Sequence, residues 1–229
     1  MKQVVIFAIV LLSSAVSVFA QQEIELKTQK EKISYAIGAN TAKNWKNQNY
    51  DIDWNIALRA MKDVMGGKKL SMTDQEINDS IVAFNKSNMD KAVEEMKKLA
   101  AKNKKEGEAF LEKNKMNDSV VTTSDGLQYK ILHEGTGKRP TLEDSVSVNY
   151  WGKLVDGTEF DNSYKRGHPS VFPLSNIIKG WAEALQMMKV GSKWEVYLPS
   201  NLAYGEHGYR PAIGPNAVLI FDIELLAIK

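Results

Sequence analysis

Val146-Ser147-Val148-Asn149-Tyr150-Trp151-Gly152-Lys153-Leu154-Val155-Asp156-Gly157-Thr158-Glu159-Phe160-Asp161-Asn162-Ser163 is the stretch that decides the fold. Val146, Val148 and Tyr150 alternate with Ser147 and Asn149, the period of a strand with one buried face. Asp156-Gly157, set between Val155 and Thr158, signals a two-residue hairpin turn, because both of its central positions need positive φ. Downstream, Trp194, Val196 and Leu198 alternate again, and so do Leu219, Phe221, Ile223 and Leu225. Between these strands, Ile177 to Met188 reads as one short helix containing Trp181 and Leu185. Pro140, Pro169, Pro173, Pro199 and Pro211 fall at bends, and Pro215 precedes the last strand. Residues 125–229 are therefore expected to form an antiparallel sheet with one helix laid across it, an α+β architecture.

Upstream the period changes. From Glu23 to about Lys115 the pattern is helical, with Ile33, Ile37 and Trp45 on a helix at 31–47. Trp54, Leu58, Met61 and Met65 follow on one face of a second helix, which Asp53 caps and Gly66-Gly67 stops. Thr73-Asp74-Gln75-Glu76 has capping-box form and opens a third helix reaching about Lys115. At 1.5 Å per residue that helix spans roughly 60 Å. Ile77, Ile81 and Phe84 can pack near its start, but the later stretch keeps only a thin apolar seam through Met89, Val93, Met96 and Ala100. Between Asn85 and Lys115 the 9 Lys and 6 Asp plus Glu are mixed in sign, the mark of a solvated surface. Three helices make too small a core to stand alone. Pairing of two copies through the first two helices and the start of the third is the expected remedy, giving a homodimer. Residues 21–115 then form a helical dimerisation domain with a long connecting helix, 116–124 a linker and 125–229 the sheet domain.

The first twenty residues point to export. Met1-Lys2, the apolar run Val4 to Leu12 and the small-x-small end Val18-Phe19-Ala20 read as a signal peptide cleaved after Ala20. The alternative is an uncleaved anchor, for which residues 4–20 are short, since a bilayer needs about 20 apolar residues. The expected location is periplasmic or secreted, with no stable membrane insertion after processing. The 229-residue chain is 43% apolar and 25% charged with net charge +2, which excludes disorder throughout and a multi-span membrane protein and gives no sign of nucleic-acid binding. It has no Cys, so disulfides, thiolate metal sites, a Cys nucleophile and a lipid-modified N-terminal Cys are excluded together. His133, His168 and His207 are widely separated, so no metal site is expected.

Catalytic signatures fail in turn. Gly135-Thr136-Gly137 lacks a third glycine and a following helix, Gly66-Gly67-Lys68 lacks the first glycine of a P-loop, and no G-x-S-x-G elbow exists. What accumulates instead is rings: Tyr150, Phe160, Phe172, Trp181, Tyr204, Tyr209 and Phe221 crowd the C-terminal half. Spacing alone leaves two readings open, a plain aromatic core and a ring-lined cavity.

Val148-Asn149-Tyr150-Trp151-Gly152 and Asp156-Gly157-Thr158-Glu159-Phe160-Asp161-Asn162-Ser163 resemble the strand and hairpin of the FK506-binding-protein (FKBP) peptidyl-prolyl isomerases. Ile177-Ile178-Lys179-Gly180-Trp181-Ala182-Glu183-Ala184-Leu185 resembles their pocket-floor helix. Ala203-Tyr204-Gly205 and Leu219-Ile220-Phe221-Asp222-Ile223-Glu224-Leu225 complete the series in order. More loosely, Ser34-Tyr35-Ala36-Ile37-Gly38 and the long third helix resemble the dimerising domain of the exported macrophage-infectivity-potentiator type.

The resemblance implies a peptidyl-prolyl cis-trans isomerase without cofactor, acting on proline-containing unfolded or nascent exported polypeptides and inhibited by FK506-like macrolides. By position it implies a catalytic group of Tyr150, Asp161, Ile178 and Tyr204. A substrate-binding group of Phe160, Phe172, Ile177, Trp181, Tyr209 and Phe221 follows likewise. Trp181 would be the floor and Phe160 and Phe221 the walls, while the Tyr204 hydroxyl and the Ile178 N–H would hold peptide carbonyls. Asp161 would orient polar neighbours or face the twisting carbonyl. Two positions depart from the family: Tyr209 stands where His is frequent, and Val171 where many members have a second aromatic. A different class of function stays open, a dimeric holdase chaperone whose isomerase activity is secondary, with Met61, Met65, Met72, Met89, Met96 and Met116 as adaptable contacts.

Overall fold

The computed structural model describes residues 24–229. The expected cleavage after Ala20 lies outside the described residues. The described residues divide into two compact units, 24–73 and 74–229.

In the first unit, α1 (Gln29–Asn47) begins two residues earlier than its apolar pattern. Thr28 Oγ1 accepts from Glu31 N at 3.2 Å while Glu31 Oε2 accepts from Thr28 N at 2.8 Å, so the N-terminal amides are capped reciprocally. The second helix, α2 (Trp54–Met65), is capped by Asp53 Oδ1, which accepts from Asn55 N and Ile56 N at 2.9 and 3.2 Å. The Trp45 and Trp54 rings meet at 5.4 Å. No residue of either helix is buried. Among the described residues, no helix is long and apolar enough to cross a membrane.

The second unit opens with α3 (Asp74–Asn114), 41 residues whose one buried position is Gly107. Its C-terminal end is tied to the sheet through Asn114 Nδ2, which donates to Gln128 Oε1 at 2.9 Å, and Gln128 Nε2, which donates to the Leu111 carbonyl at 3.0 Å. The strands are β1 (Val121–Thr122), β2 (Gln128–His133), β3 (Ser145–Leu154), β4 (Glu159–Asn162), β5 (Ser170–Pro173), β6 (Lys193–Leu198) and β7 (Leu219–Ile228). They form one antiparallel sheet in the order β1-β2-β6-β7-β3-β4, with β5 also on β3. β1 lies inside the stretch expected as a linker, because Val121 and Thr122 pair with Tyr129 and Gln128 across a tight turn.

One face of the sheet carries the core. Val146, Val148 and Tyr150 of β3, Trp194, Val196 and Leu198 of β6, and Leu219, Phe221, Ile223 and Leu225 of β7 are all buried, as their alternation required. Across them lies α5 (Lys179–Met187), which buries Gly180, Trp181, Ala184 and Leu185. This helix starts at Lys179 rather than Ile177, because Ile177 and Ile178 are extended and Ile178 serves as N-cap. The outer edge of β3 is shared: β5 pairs with its first half and β4 with its second. That split opens the sheet edge into a cleft above Tyr150. A short helix, α4 (Ser163–Arg166), joins the two and is capped by Asn162.

Candidate active site

A cavity of about 570 Å³ opens where β3, β4, β5, the start of α5 and the loop 199–218 converge. All ten residues expected at the site line it, namely Tyr150, Phe160, Asp161, Phe172, Ile177, Ile178, Trp181, Tyr204, Tyr209 and Phe221. Tyr150 comes from the middle of β3, Phe160 and Asp161 from β4, Phe172 from β5 and Phe221 from β7. The two departures separate: Tyr209 is 62% exposed at the rim, stacked on Tyr204 with centroids 5.2 Å apart, whereas Val171 is exposed and does not line the cavity.

The rings brace one another edge to face. Trp181 meets Tyr150 at 4.9 Å, Phe221 at 5.0 Å and Phe172 at 5.8 Å, and Phe160 meets Phe221 at 5.4 Å. Each such pair contributes about 0.5–1.5 kcal/mol beyond its area burial, so the lining is stiff. Trp181 is buried, and its indole nitrogen is itself covered by protein and finds no acceptor among the described residues.

Polar groups sit on one side. The Tyr150 hydroxyl donates to Asp161 Oδ2, and the Arg166 guanidinium donates to Asp161 Oδ1, to the Tyr150 hydroxyl at 2.9 Å and to Ser170 Oγ at 3.0 Å. Burial, then the Asp161 carboxylate, raises the Tyr150 phenol pKa above its ordinary value. Burial also raises that of Tyr204. Both phenols therefore stay protonated donors throughout the physiological range. The Tyr204 hydroxyl and the Ile178 N–H donate to no protein group among the described residues. Arg166, Asn176, Ala212 and Ile213 belong to this surroundings and were not foreseen. Arg166 lies five residues past Asp161, and Ala212 and Ile213 carry no periodic signal. No group of three or more His, Cys, Asp or Glu converges as a metal-ligand set among the described residues.

Residues 137–226 match the FKBP-type peptidyl-prolyl cis-trans isomerase family, and residues 30–131 match the domain that stands amino-terminal to it. The chain is 44% identical over 222 residues to the outer membrane protein MIP of Legionella longbeachae, covering 97% of this chain and 95% of that one. It is 45% identical over 204 residues to the peptidyl-prolyl cis-trans isomerase Mip of Coxiella burnetii, with 89% of each chain covered. The crystal structure of FkpA from Escherichia coli superposes with TM-score 0.70 at 38% identity, covering 90% of this chain and 99% of that chain. The chain belongs to the FKBP-type peptidyl-prolyl cis-trans isomerases. Its likeness to the Mip and FkpA proteins runs through both halves.

Proposed function

We propose that the protein assists folding of exported polypeptides by stabilising a twisted X–Pro amide in the cavity above Trp181. Rotation about the planar amide meets a barrier of about 18–20 kcal/mol, and uncatalysed exchange takes tens to hundreds of seconds. Twisting removes resonance, so the carbonyl loses charge and the nitrogen becomes pyramidal. A cavity walled by Phe160, Phe172 and Phe221 then costs the twisted amide less desolvation than the planar one. The Tyr204 hydroxyl and the Ile178 N–H hold the flanking carbonyls, and Asp161, braced by Tyr150 and Arg166, faces the turning carbonyl. Every 1.36 kcal/mol of preference for the twisted form gives about a tenfold rate gain. The observation that carries this reading is the pair of donors without a protein acceptor among the described residues, Tyr204 and Ile178, on a cavity walled mainly by aromatic rings.

The test is cis-to-trans exchange of an X–Pro peptide by the full chain, with and without an FK506-like macrolide. Phe160→Ala and Trp181→Ala should each remove most activity, and the macrolide should block the rest. Activity surviving both changes would overturn the cavity assignment.

The N-terminal helices are assigned to homodimerisation. Ile33, Ile37, Ile56, Leu58, Val64 and Ile81 are at least half exposed, and no residue from 24 to 106 is buried, so these faces require a cover. A second copy supplies the same apolar stripes. Residues 21–115 thus act as the dimerising part, 116–124 as the connection and 125–229 as the isomerase part, with export through cleavage after Ala20. A second reading, a holdase surface on the helices, draws on Met65 and Met89, which are 88% and 68% exposed. Suppression of aggregation of a proline-free client by the Phe160→Ala variant, at the wild-type level, would favour it.

A further inference from the structure

The loop 199–218 supplies Tyr204, Tyr209, Ala212 and Ile213 to the cavity and buries Leu202, Ile213 and Ala217 in the core. On its far side a second cavity of about 530 Å³ lies between the loop, the β3–β4 turn and α3, lined by Met96, Lys102, Asp156 and Pro211 among others. Ala212 and Ile213 border both cavities, with the Ile213 side chain itself buried in the core. Within the loop, Tyr209 and Ile213 exchange two backbone hydrogen bonds of 2.8 Å, and Asn216 N donates to the Gly205 carbonyl at 2.8 Å. These bonds lie within the loop and shape it, while Leu202, Ile213 and Ala217 seat it on the core.

Further ties to the loop's C-terminal end come from α3. Asn103 Nδ2 donates to the Pro215 carbonyl at 2.8 Å, and Asn216 Nδ2 donates back to the Ala100 carbonyl at 3.4 Å. One turn farther along, Gly107 is in contact with Val218. A Cβ there would lie 2.6 Å from Val218 Cγ2, so a glycine is what lets the helix come this close. The contacts fall just after Ile213 in sequence, between the cavity wall and β7.

We propose that Asn103 is a positioning residue for the isomerase: from a helix outside the sheet, its amide clamps the loop that carries Tyr204, Tyr209 and Ile213, and so sets the cavity's rim. This rests on the reading of the ring-lined cavity as the proline site. The long helix is thereby part of the catalytic apparatus as well as a spacer.

The experiment compares two variants of the full chain. Asn103→Asp is nearly isosteric but replaces the donor with a carboxylate facing the Pro215 carbonyl. Asn114→Asp alters a different tie between α3 and the sheet, the bond to Gln128 of β2 away from the cavity. Asn103→Asp should lower kcat/KM for an X–Pro peptide about tenfold and shift the Ile213 methyl and Tyr209 amide NMR signals, whereas Asn114→Asp should stay within twofold and leave those signals in place. Asn216→Gly keeps the positive φ of 57° at that residue while removing the reverse bond, and should move the same signals with a smaller loss. Equal losses in Asn103→Asp and Asn114→Asp, or wild-type rates in both, overturn the clamp. Loss in Phe160→Ala with Asn103→Asp unchanged overturns the clamp and keeps the cavity, whereas full activity in Phe160→Ala overturns the cavity and the clamp with it.

Discussion

Gly152 of β3 sits opposite Phe221 of β7, and a Cβ built on Gly152 would lie 2.9 Å from the Phe221 ring and 2.7 Å from the Phe160 ring. The two walls can meet edge to face only because the strand between them has no side chain there. Gly152→Ala should therefore push Phe160 into the cavity. Overpacking of this kind costs about 1–3 kcal/mol. The expected outcome is a lowered Tm by thermal unfolding together with weaker macrolide binding by calorimetry. A lowered Tm with unchanged binding would mean that the rings yield elsewhere.

Arg166 holds both Asp161 and the Tyr150 hydroxyl, and it stands on a four-residue helix that no pattern singled out. Arg166→Leu should leave the carboxylate without its cation and lower kcat/KM about tenfold, with a smaller effect on Tm because the guanidinium is exposed. Exchange assays and thermal melts on one preparation test both halves of the statement.

Tyr204 tests the donor assignment directly. Its hydroxyl makes no hydrogen bond among the described residues, so Tyr204→Phe should hold wild-type Tm while slowing exchange about five- to tenfold. Equal rates for the two proteins would remove the hydroxyl from the mechanism.

Glu183 lies on α5 beside Trp181, where burial first and then the facing Asp125 carboxyl raise its pKa. A carboxyl raised on folding contributes stability below its unfolded pKa and loses that contribution as pH rises through the folded value. At neutral pH the ionised Glu183 is thus a cost. Glu183→Gln should raise Tm at pH 7 more than at pH 4, the gap closing as acid protonates the wild-type side chain. An equal change at both pH values would show that this carboxyl is unperturbed.

The dimer reading makes the apolar face of the first two helices decisive. Ile37→Glu together with Leu58→Glu should convert a two-chain particle to one chain by light scattering, with peptide exchange per chain preserved. A wild-type particle of one-chain mass would overturn the assignment of these helices.

Periodicity carried the elements well where burial is one-sided. The alternation in β3, β6 and β7 named the buried face residue by residue, and Asp53 and Gly66 marked the ends of α2 as the structure has them. It faltered where local chemistry overrides pattern. Thr28 and Glu31 started α1 early by capping each other, and Ile177 and Ile178 look helical by composition but are extended ahead of α5. Ala212, Ile213 and Asn103 carry no signal in the chain, since their importance lies in what faces them across more than a hundred residues in Asn103's case.

The chain alone determined which residues alternate, which rings are available and that no thiol chemistry is possible, because these depend on side-chain type and local spacing. Tertiary structure decided which rings fill the core and which enclose a cavity, because the split of the β3 edge between β4 and β5 leaves a cleft above Tyr150 and Trp181. It also decided what fixes the cavity's outer wall. A hydrogen bond from a distant helix depends on where the two segments come to rest, and no local pattern encodes that.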